Sequence, residues 1–233
     1  MTVVEHLIEL RRRLIISIIA VVGGASLCYW FAPDIIRFFL QFYRDATDGK
    51  QDAFVFTGPL DAFVTRLKVA TYGGIVLAIP VWLWQLWRFI TPGLAKREKR
   101  YAVPFVCSSL VLFALGAVVA LLTLPQALDF LLKVGGAEQQ PLLTADKYIS
   151  LVSLMIVAFG LAFEFPVLLV FLLIARVINT TQLRRFRRWA IVGIFTFAAV
   201  ITPSQDPYSL FFMAVPMCVF YEASILIGRA LKR

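Results

Sequence analysis

Charged residues are scarce in this chain of 233 residues: Asp, Glu, Lys and Arg together make up 16%, whereas hydrophobic residues make up 61%. A soluble globular domain carries about 25% charged residues, so this chain has too little polar surface to cover such a globule. The composition therefore excludes a soluble protein. It predicts an all-α polytopic membrane protein.

Side chains suited to catalysis or metal binding are equally scarce. The single histidine, His6, lies outside the predicted spans, which excludes a histidine-based hydrolase inside the membrane. The three cysteines, Cys28, Cys107 and Cys218, are an odd number within predicted spans, so they support neither a disulfide framework nor a metal site. The glycine pairs suit helix contacts better than a phosphate-binding loop. We therefore expect no enzymatic activity, no cofactor and no metal.

Six apolar segments are candidates to cross the bilayer. They are predicted at about residues 14–31, 65–86, 103–124, 148–174, 189–201 and 207–227. A hydrocarbon core of roughly 30 Å needs about 20 helical residues, so the fifth segment is short. We interpret the whole chain, residues 1–233, as a single transmembrane domain.

The first 14 residues predict a helix of their own. Val3, Leu7, Leu10 and Leu14 recur at helical spacing on one side, which is typical of an amphipathic helix lying along the membrane surface. We do not expect the apolar run that follows to be a cleaved signal peptide, because no pattern of small residues marks a cleavage site.

Turns and a second surface helix are predicted between the spans. The polar stretch 33–63 is too rich in Ile and Phe for a free linker, so a short helix is expected there, followed by a turn at Gly58 and Pro59. A tight turn containing Pro203 precedes the sixth span, where Asp206 is the expected N-cap.

Lysine and arginine are distributed unevenly between the two sides of this six-span topology. Sixteen of the 23 fall on the side of the two termini, and seven fall on the opposite side. Because basic residues are retained on the cytoplasmic side, both termini are predicted to be cytoplasmic. The net charge of +9 is therefore interpreted as membrane topology and not as a sign of nucleic-acid binding.

Glu164 is the one carboxylate in the apolar run from 148 to 174. An ionised carboxylate facing lipid is costly, so such a residue usually faces protein or water and is a functional candidate. Pro166 lacks an N–H group and is expected to kink the helix close to this acid. The alternative is that Glu164 is protonated and hydrogen-bonds a neighbouring helix as part of the packing.

Two further acids stand among basic residues on the predicted cytoplasmic side. Glu9 precedes Arg11, Arg12 and Arg13, and Glu98 lies inside the basic block before the third span. Taken alone, each fits a local salt-bridge partner, for instance Glu9 with Arg13 at i,i+4 spacing.

Several short motifs occur in order along nearly the whole chain. They are HLIELRRRL at 6–14, FTGPL at 56–60, the segment from Pro80 through QLWRF at 85–89 to PGL at 92–94, EKR at 98–100, FEFP at 163–166 and ITP at 201–203. In these motifs the chain strongly resembles the TatC family of twin-arginine translocase subunits. It departs from the family pattern at Asp61, where Glu is commoner, and in the Pro-Ser-Gln-Asp-Pro turn, where Pro-Pro-Asp is commoner.

The resemblance implies six helices in a concave, glove-like bundle in the cell inner membrane. It also implies a receptor that binds twin-arginine signal peptides at the cytoplasmic face and exports folded proteins with the proton gradient. Expected partners are the signal peptides of folded cargo, small single-span subunits of the TatA and TatB type, the lipid bilayer and further copies of the chain. No nucleic-acid partner is expected.

The functional positions of the family carry over residue by residue. The resemblance implies a signal-peptide site at Glu9, Arg11, Phe89 and Glu98, and an intramembrane polar or partner-binding site at Glu164 and Thr202.

Three hypotheses of different classes stand at this point. The first is a receptor and translocase core, which the motifs favour. The second is a proton-coupled transporter of small solutes that uses Glu164, although the chain shows no paired broken helices in matching halves. The third is a structural membrane scaffold.

Overall fold

The computed structural model of the chain describes residues 3–46, 58–90, 102–134 and 144–230. All secondary-structure elements assigned in these ranges are α-helices. In chain order they are α1 (Val3–Trp30), α2 (Ala32–Ala46), α3 (Asp61–Leu77), α4 (Ile79–Ile90), α5 (Ala102–Val134), α6 (Ala145–Ala162), α7 (Phe165–Ile174), α8 (Thr180–Arg185), α9 (Arg187–Ile201) and α10 (Pro207–Ala230). The all-α fold predicted from composition is confirmed.

The chain divides into two compact units. The first lies within residues 1–41, 52–110 and 143–153, and the second within residues 42–51, 111–142 and 154–233. The boundaries fall inside α2, α5 and α6, so these three helices contribute to both units. The interpretation of the chain as a single domain stays a prediction.

Four stretches of helix in the described part of the chain are long and apolar enough to cross a membrane. They are Val4–Trp30, Val103–Val134, Ala145–Ile174 and Pro207–Ala230. The bent pair α3 and α4 gives a fifth if it is counted as one span. With 15 residues, α9 is about 22 Å long, which agrees with the short fifth segment predicted. The count of six spans stays a prediction.

The N-terminal surface helix expected over residues 1–14 is not a separate element. Instead α1 runs without a break from Val3 to Trp30, a length of 28 residues. The physical reason lies in the sequence, since no glycine or proline occurs before Gly23 and nothing interrupts the backbone hydrogen bonds. The polar first turns and the apolar remainder therefore form one rod.

The second predicted span, 65–86, is not one straight helix either. It bends by 47° between α3 and α4. Pro80 causes this bend because it lacks an N–H group and its ring crowds the carbonyl of Val76. Hydrogen bonding nevertheless continues through the bend: the Ala78 N–H donates to Gly74 O at 3.0 Å, and the Trp82 N–H donates to Ala78 O at 3.0 Å.

The third span extends about ten residues beyond its predicted end at Leu124, because α5 continues through Pro125 to Val134. A proline inside a helix removes one hydrogen bond, but burial on the same helix offsets that loss. Leu124, Ala127 and Leu128 are all buried. Packing therefore carries the helix past Pro125, beyond the predicted end of the span.

Glycines allow close helix contacts in both units. In the first unit, a Cβ atom placed on Gly74 of α3 would lie 2.6 Å from the Ala25 nitrogen of α1. In the second unit, a Cβ atom on Gly116 of α5 would lie 2.5 Å from the Phe159 oxygen of α6. Backbones approach this closely only where a residue has no side chain, as is common between membrane helices.

The start of α6 is attached to two other helices of the first unit. The Tyr148 hydroxyl donates to Phe39 O of α2 at 2.8 Å. Lys68 of α3 lies 2.6 Å from Asp146 Oδ1 and donates to Ser150 Oγ at 2.8 Å. The surface helix predicted within 33–63 is thus present as α2, and it is fixed to the fold by a buried tyrosine.

Candidate functional site

Glu9 lies on α1 in a hydrogen-bonded network with Arg13 and Gln85. Arg13 Nε donates to Glu9 Oε1 at 3.0 Å, and Arg13 Nη2 contacts the same oxygen. Arg13 Nη1 donates to Gln85 Oε1 of α4 at 3.2 Å. The side chains of Glu9 and Arg13 are each 17% exposed. The local salt bridge considered for Glu9 is therefore present, and it is connected to a second helix.

An apolar pocket lies beside this network, between α1 and α4. Its volume is about 230 Å³. The lining residues are Leu10, Arg13, Leu14, Ser17, Trp82, Gln85, Leu86 and Phe89. Phe89 also stacks on His6, with ring centroids 4.3 Å apart. The walls of this groove are aliphatic and aromatic apart from Arg13, Ser17 and Gln85, and the carboxylate of Glu9 is bound to Arg13 at its edge.

The structure brings together two of the four residues expected at the signal-peptide site. Phe89 lines the pocket, and Glu9 contacts Arg13, another of its lining residues, whereas Arg11 is exposed on α1. Glu98 lies outside the described residues, so its distance from Glu9 stays untested. Sequence reasoning missed Gln85, although one signal was present: it is the only amide in an aromatic run that ends at Trp87.

Glu164 lies at a break between two helices. α6 ends at Ala162 and α7 begins at Phe165, with Glu164 in the N-cap position of α7. Pro166 has no N–H group to donate to Ala162 O. The Glu164 N–H donates to Leu161 O at 3.1 Å, which is three residues back rather than the four of a regular α-helix. The helix is therefore interrupted next to its carboxylate.

A larger pocket opens next to Glu164 within the second unit. Its volume is about 480 Å³. The residues lining it are Leu161, Ala162, Glu164, Phe165, Leu168, Ala190, Gly193, Ile194, Phe197 and Met217. Among the described residues, Glu164 is the only ionisable one in this lining, and a Cβ atom on Gly193 would meet none of them within 4 Å. The pocket therefore combines an open apolar volume with a single carboxylate.

Thr202 does not line this pocket. It is buried at the C-cap of α9, where its hydroxyl donates to Ala198 O at 2.7 Å. The expected association of Glu164 with Thr202 in one polar site is therefore not visible as a shared cavity.

The turn after Thr202 is built around a buried carboxylate. Asp206 is 1% exposed, its Oδ1 accepts from Ser209 N–H at 2.7 Å, and its Oδ2 accepts from the Ser204 hydroxyl. The helix α10 begins at Pro207, as the sequence predicts for an Asp N-cap followed by proline. Gln205, between the two partners, adopts a positive φ of 48°.

The turn at Gly58 and Pro59 is also closed by an aspartate. Gly58 N–H donates to Asp61 Oδ2 at 2.9 Å, and Asp61 N–H donates to Gly58 O at 3.2 Å. Asp61 is the position where the sequence departs from the commoner Glu. The shorter side chain still satisfies the turn.

An ion pair that sequence reasoning missed joins the two last helices. Arg187, at the start of α9, contacts Glu222 of α10. Beside it, the Tyr221 hydroxyl donates to Leu183 O of α8 at 2.7 Å. A lone acid inside a predicted span was the available signal for Glu222. These contacts fix the short α8 and the first turn of α9 against α10.

Comparison with known proteins agrees with these features. The family model described as Sec-independent protein translocase protein (TatC) matches residues 5–216. A TatC protein of Frankia casuarinae is 42% identical over 98% of the chain and 65% of its own length. The TatC protein of Carboxydothermus hydrogenoformans is 37% identical over 100% of the chain and 94% of its own length.

Solved structures show the same fold. The crystal structure of the twin-arginine translocase receptor TatC superposes with a TM-score of 0.80 at 38% identity, and the match covers 98% of this chain and 100% of that one. A second TatC crystal structure, in DDM, gives a TM-score of 0.77. With a family match over nearly its full length and relatives well above 30% identity, the chain belongs to the TatC family of Sec-independent protein translocase proteins.

Proposed function

We propose that the chain is the receptor core of a twin-arginine protein translocase and binds twin-arginine signal peptides with Glu9, Arg11, Phe89 and Glu98. The observation that carries this proposal is the groove between α1 and α4, where Glu9 stands beside an apolar pocket bordered by Phe89. A guanidinium is a planar fork that a carboxylate accepts bidentately, so two adjacent arginines call for two acids. The solved relatives are described as twin-arginine translocase receptors, which supports this assignment.

Loss of either acid should weaken binding of a twin-arginine signal peptide by about tenfold to a hundredfold, because a charged hydrogen-bonded contact contributes roughly 1.5 to 3 kcal/mol. The measurement is binding of the peptide to detergent-solubilised wild type, Glu9→Ala, Glu98→Ala and the double variant. A twin-lysine peptide should also bind more weakly, because an ammonium group is a point donor.

Glu5→Ala is the matched control for this experiment. Glu5 lies one turn before Glu9 on the same helix and is exposed, so its removal changes the charge equally without touching the groove. Binding by both single variants as tight as that of wild type would mean that the two acids are local salt-bridge partners.

The topology that accompanies this function has six spans in the cell inner membrane, with both termini in the cytoplasm. The proposal follows from the excess of basic residues on the side of the termini. Single cysteines in a background without native cysteines test it. A probe at Lys147 should be labelled from outside, because residues 134–146 before it contain no Lys or Arg. A probe at Arg185 should be protected, because Arg184, Arg187 and Arg188 surround it. Labelling in the reverse pattern would contradict the orientation.

The translocase further requires partners, and the Glu164 pocket is a suitable place for one. We assign the Glu164 pocket to a polar side chain on the single helix of a TatA- or TatB-type subunit. The proposed energy source of export is the proton gradient. The proposed receptor complex contains several copies of the chain. A carboxylate at a helix break inside an apolar pocket can accept a hydrogen bond that lipid cannot offer. The transporter alternative would also use Glu164, but the family assignment does not favour it.

Replacing Glu164 by alanine should weaken association with such a subunit by roughly threefold to thirtyfold, because polar contacts between membrane helices contribute about 0.6 to 2 kcal/mol. Glu164→Gln should have a smaller effect, since an amide still offers an oxygen. Crosslinking of the subunit to the chain in membranes, together with export of a folded cargo, provides the measurement.

Gly193→Leu is a second test of the same pocket. A side chain there would enter open space and fill the pocket while leaving Glu164 intact. Gly23→Leu is its matched control, since a Cβ atom on Gly23 also meets none of the described residues within 4 Å. If both Glu164→Ala and Gly193→Leu crosslink and export like wild type, the pocket does not bind the subunit, and Glu164 serves only in packing.

A further inference from the structure

We propose that Arg13 is an internal competitor for the carboxylate of Glu9, so that an arginine of the ligand binds there only by displacing Arg13. Gln85 keeps the displaced guanidinium beside the groove. This inference rests on the proposed function of Glu9 in signal-peptide binding. It makes Arg13 a residue that determines specificity and Gln85 a positioning residue.

The first step of the argument is that both oxygens of Glu9 are already occupied or covered. Oε1 accepts from Arg13 Nε at 3.0 Å and is also in contact with Arg13 Nη2. Oε2 is buried and has no hydrogen-bond partner among the described residues. A ligand guanidinium that binds bidentately needs both oxygens. In this arrangement neither oxygen can be reached without movement of the Glu9–Arg13 pair.

The second step is that the Glu9–Arg13 pair leaves one carboxylate oxygen without a hydrogen-bond donor and is weak by itself. A covered carboxylate oxygen without a donor keeps the cost of its lost hydration. The Glu9–Arg13 pair is also a contact within one turn of one helix, a geometry that contributes little by itself. An arriving guanidinium that supplies donors to both oxygens gains the contact that Oε2 lacks. Exchange of one guanidinium for another is therefore favoured for a forked donor.

The third step concerns the position of Arg13 after exchange. Its Nη1 already donates to Gln85 Oε1 at 3.2 Å, across from α1 to α4. The amide oxygen of Gln85 is a neutral acceptor, so it holds Arg13 without adding a second anion that would attract the ligand elsewhere. The released guanidinium keeps a hydrogen bond and does not become an unpartnered charge in the groove.

Specificity follows from this competition. A ligand that displaces Arg13 must bind Glu9 better than a tethered guanidinium does. Arginine can meet that condition through its fork, whereas the ammonium of lysine offers a point charge. The presence of Arg13 thus excludes weaker cations, which is discrimination by an opposing interaction.

The test compares Arg13→Met with Arg12→Met. Arg12 is exposed on α1 immediately before Arg13, so the control removes the same charge and the same long-range repulsion. Arg13→Met should bind a twin-arginine peptide about threefold to tenfold more tightly than Arg12→Met does. It should also tighten binding of a twin-lysine peptide by a larger factor, so the ratio of the two affinities falls. Weaker or equal binding by folded Arg13→Met, or an unchanged ratio, would overturn the proposal.

Two additional variants keep the outcome readable if Arg13→Met does not fold. Arg13→Lys leaves a weaker, single-point competitor on Glu9 at unchanged net charge and should tighten binding of the twin-arginine peptide. Gln85→Leu removes the acceptor for the displaced guanidinium and should weaken that binding. Wild-type affinity in both variants would contradict the exchange.

Failure of this inference is distinguishable from failure of the proposed function. If Glu9→Ala binds the peptide like wild type, Glu9 is not part of the site and both ideas fall. If Glu9→Ala weakens binding but Arg13→Met does not tighten it, only the competition is wrong. In the Glu9→Ala background, Arg13→Met and Arg12→Met should have the same effect.

Discussion

Replacing Gly74 by alanine is expected to lower the free energy of unfolding by about 3 kcal/mol, the upper end of what overpacking a tight contact costs. The new Cβ atom would lie 2.6 Å from Ala25 N and 2.7 Å from Val21 O. Both atoms belong to the backbone of α1, which cannot turn aside as a flexible side chain can. The two helices would have to separate, and their shared packing would be lost.

The midpoint of thermal unfolding of the detergent-purified protein measures this effect. Gly23→Ala is the matched control, because Gly23 lies on α1 but a new Cβ there would have no other described residue within 4 Å. Alanine is preferred over glycine in a helix by about 1 kcal/mol, so Gly23→Ala should unfold at an equal or higher temperature than wild type. Similar midpoints for the two variants would show that α1 and α3 tolerate separation.

Replacing Asp206 by alanine is expected to destabilise the protein by about 2 to 4 kcal/mol. Loss of an N-cap costs up to about 2 kcal/mol, and the Ser204 hydroxyl would lose its acceptor while remaining buried, which adds about 1 to 3 kcal/mol. Both partners of the carboxylate are visible in the structure, since Ser209 N–H and the Ser204 hydroxyl donate to its two oxygens.

Asp206→Asn should recover much of this loss, because the amide retains an oxygen for Ser209 N–H. Gln205→Gly serves as the control within the same turn. Gln205 is exposed and has a φ of 48°, a conformation that glycine adopts without strain, so this variant should be as stable as wild type. The thermal midpoints of the three variants decide the matter; Asp206→Ala unfolding at the wild-type temperature would rule out the capping role.

The sequence predicted the class of fold well and the ends of helices less well. Long apolar runs identify membrane helices because the bilayer imposes a length and an apolar composition. Two boundaries near prolines differ from the prediction. The predicted third span ends at Leu124, but buried residues such as Leu128 extend α5 past Pro125, whereas Pro80 bends the predicted second span.

The candidate sites were predictable one residue at a time but not as arrangements. Glu9 and Glu164 are conspicuous as acids in basic or apolar surroundings, and the family motifs identify them further. The contact from Arg13 to Gln85 joins residues 72 positions apart, and no local pattern encodes such a contact. The same is true of the pair formed by Arg187 and Glu222.

The bend at Ala78 sets the direction of α4 and therefore the position of Phe89 in the groove between α1 and α4. Ala78 is 2% exposed and keeps its hydrogen bonds, so the angle is fixed by packing rather than free to swing. From this point to Phe89 the helix is about 16 Å long, so a rotation of about 5° displaces the aromatic ring by about 1.4 Å. Because Gly74 packs against the backbone of α1 one turn before the bend, we expect Gly74→Ala to shift Phe89 relative to α1 as well as to lower stability.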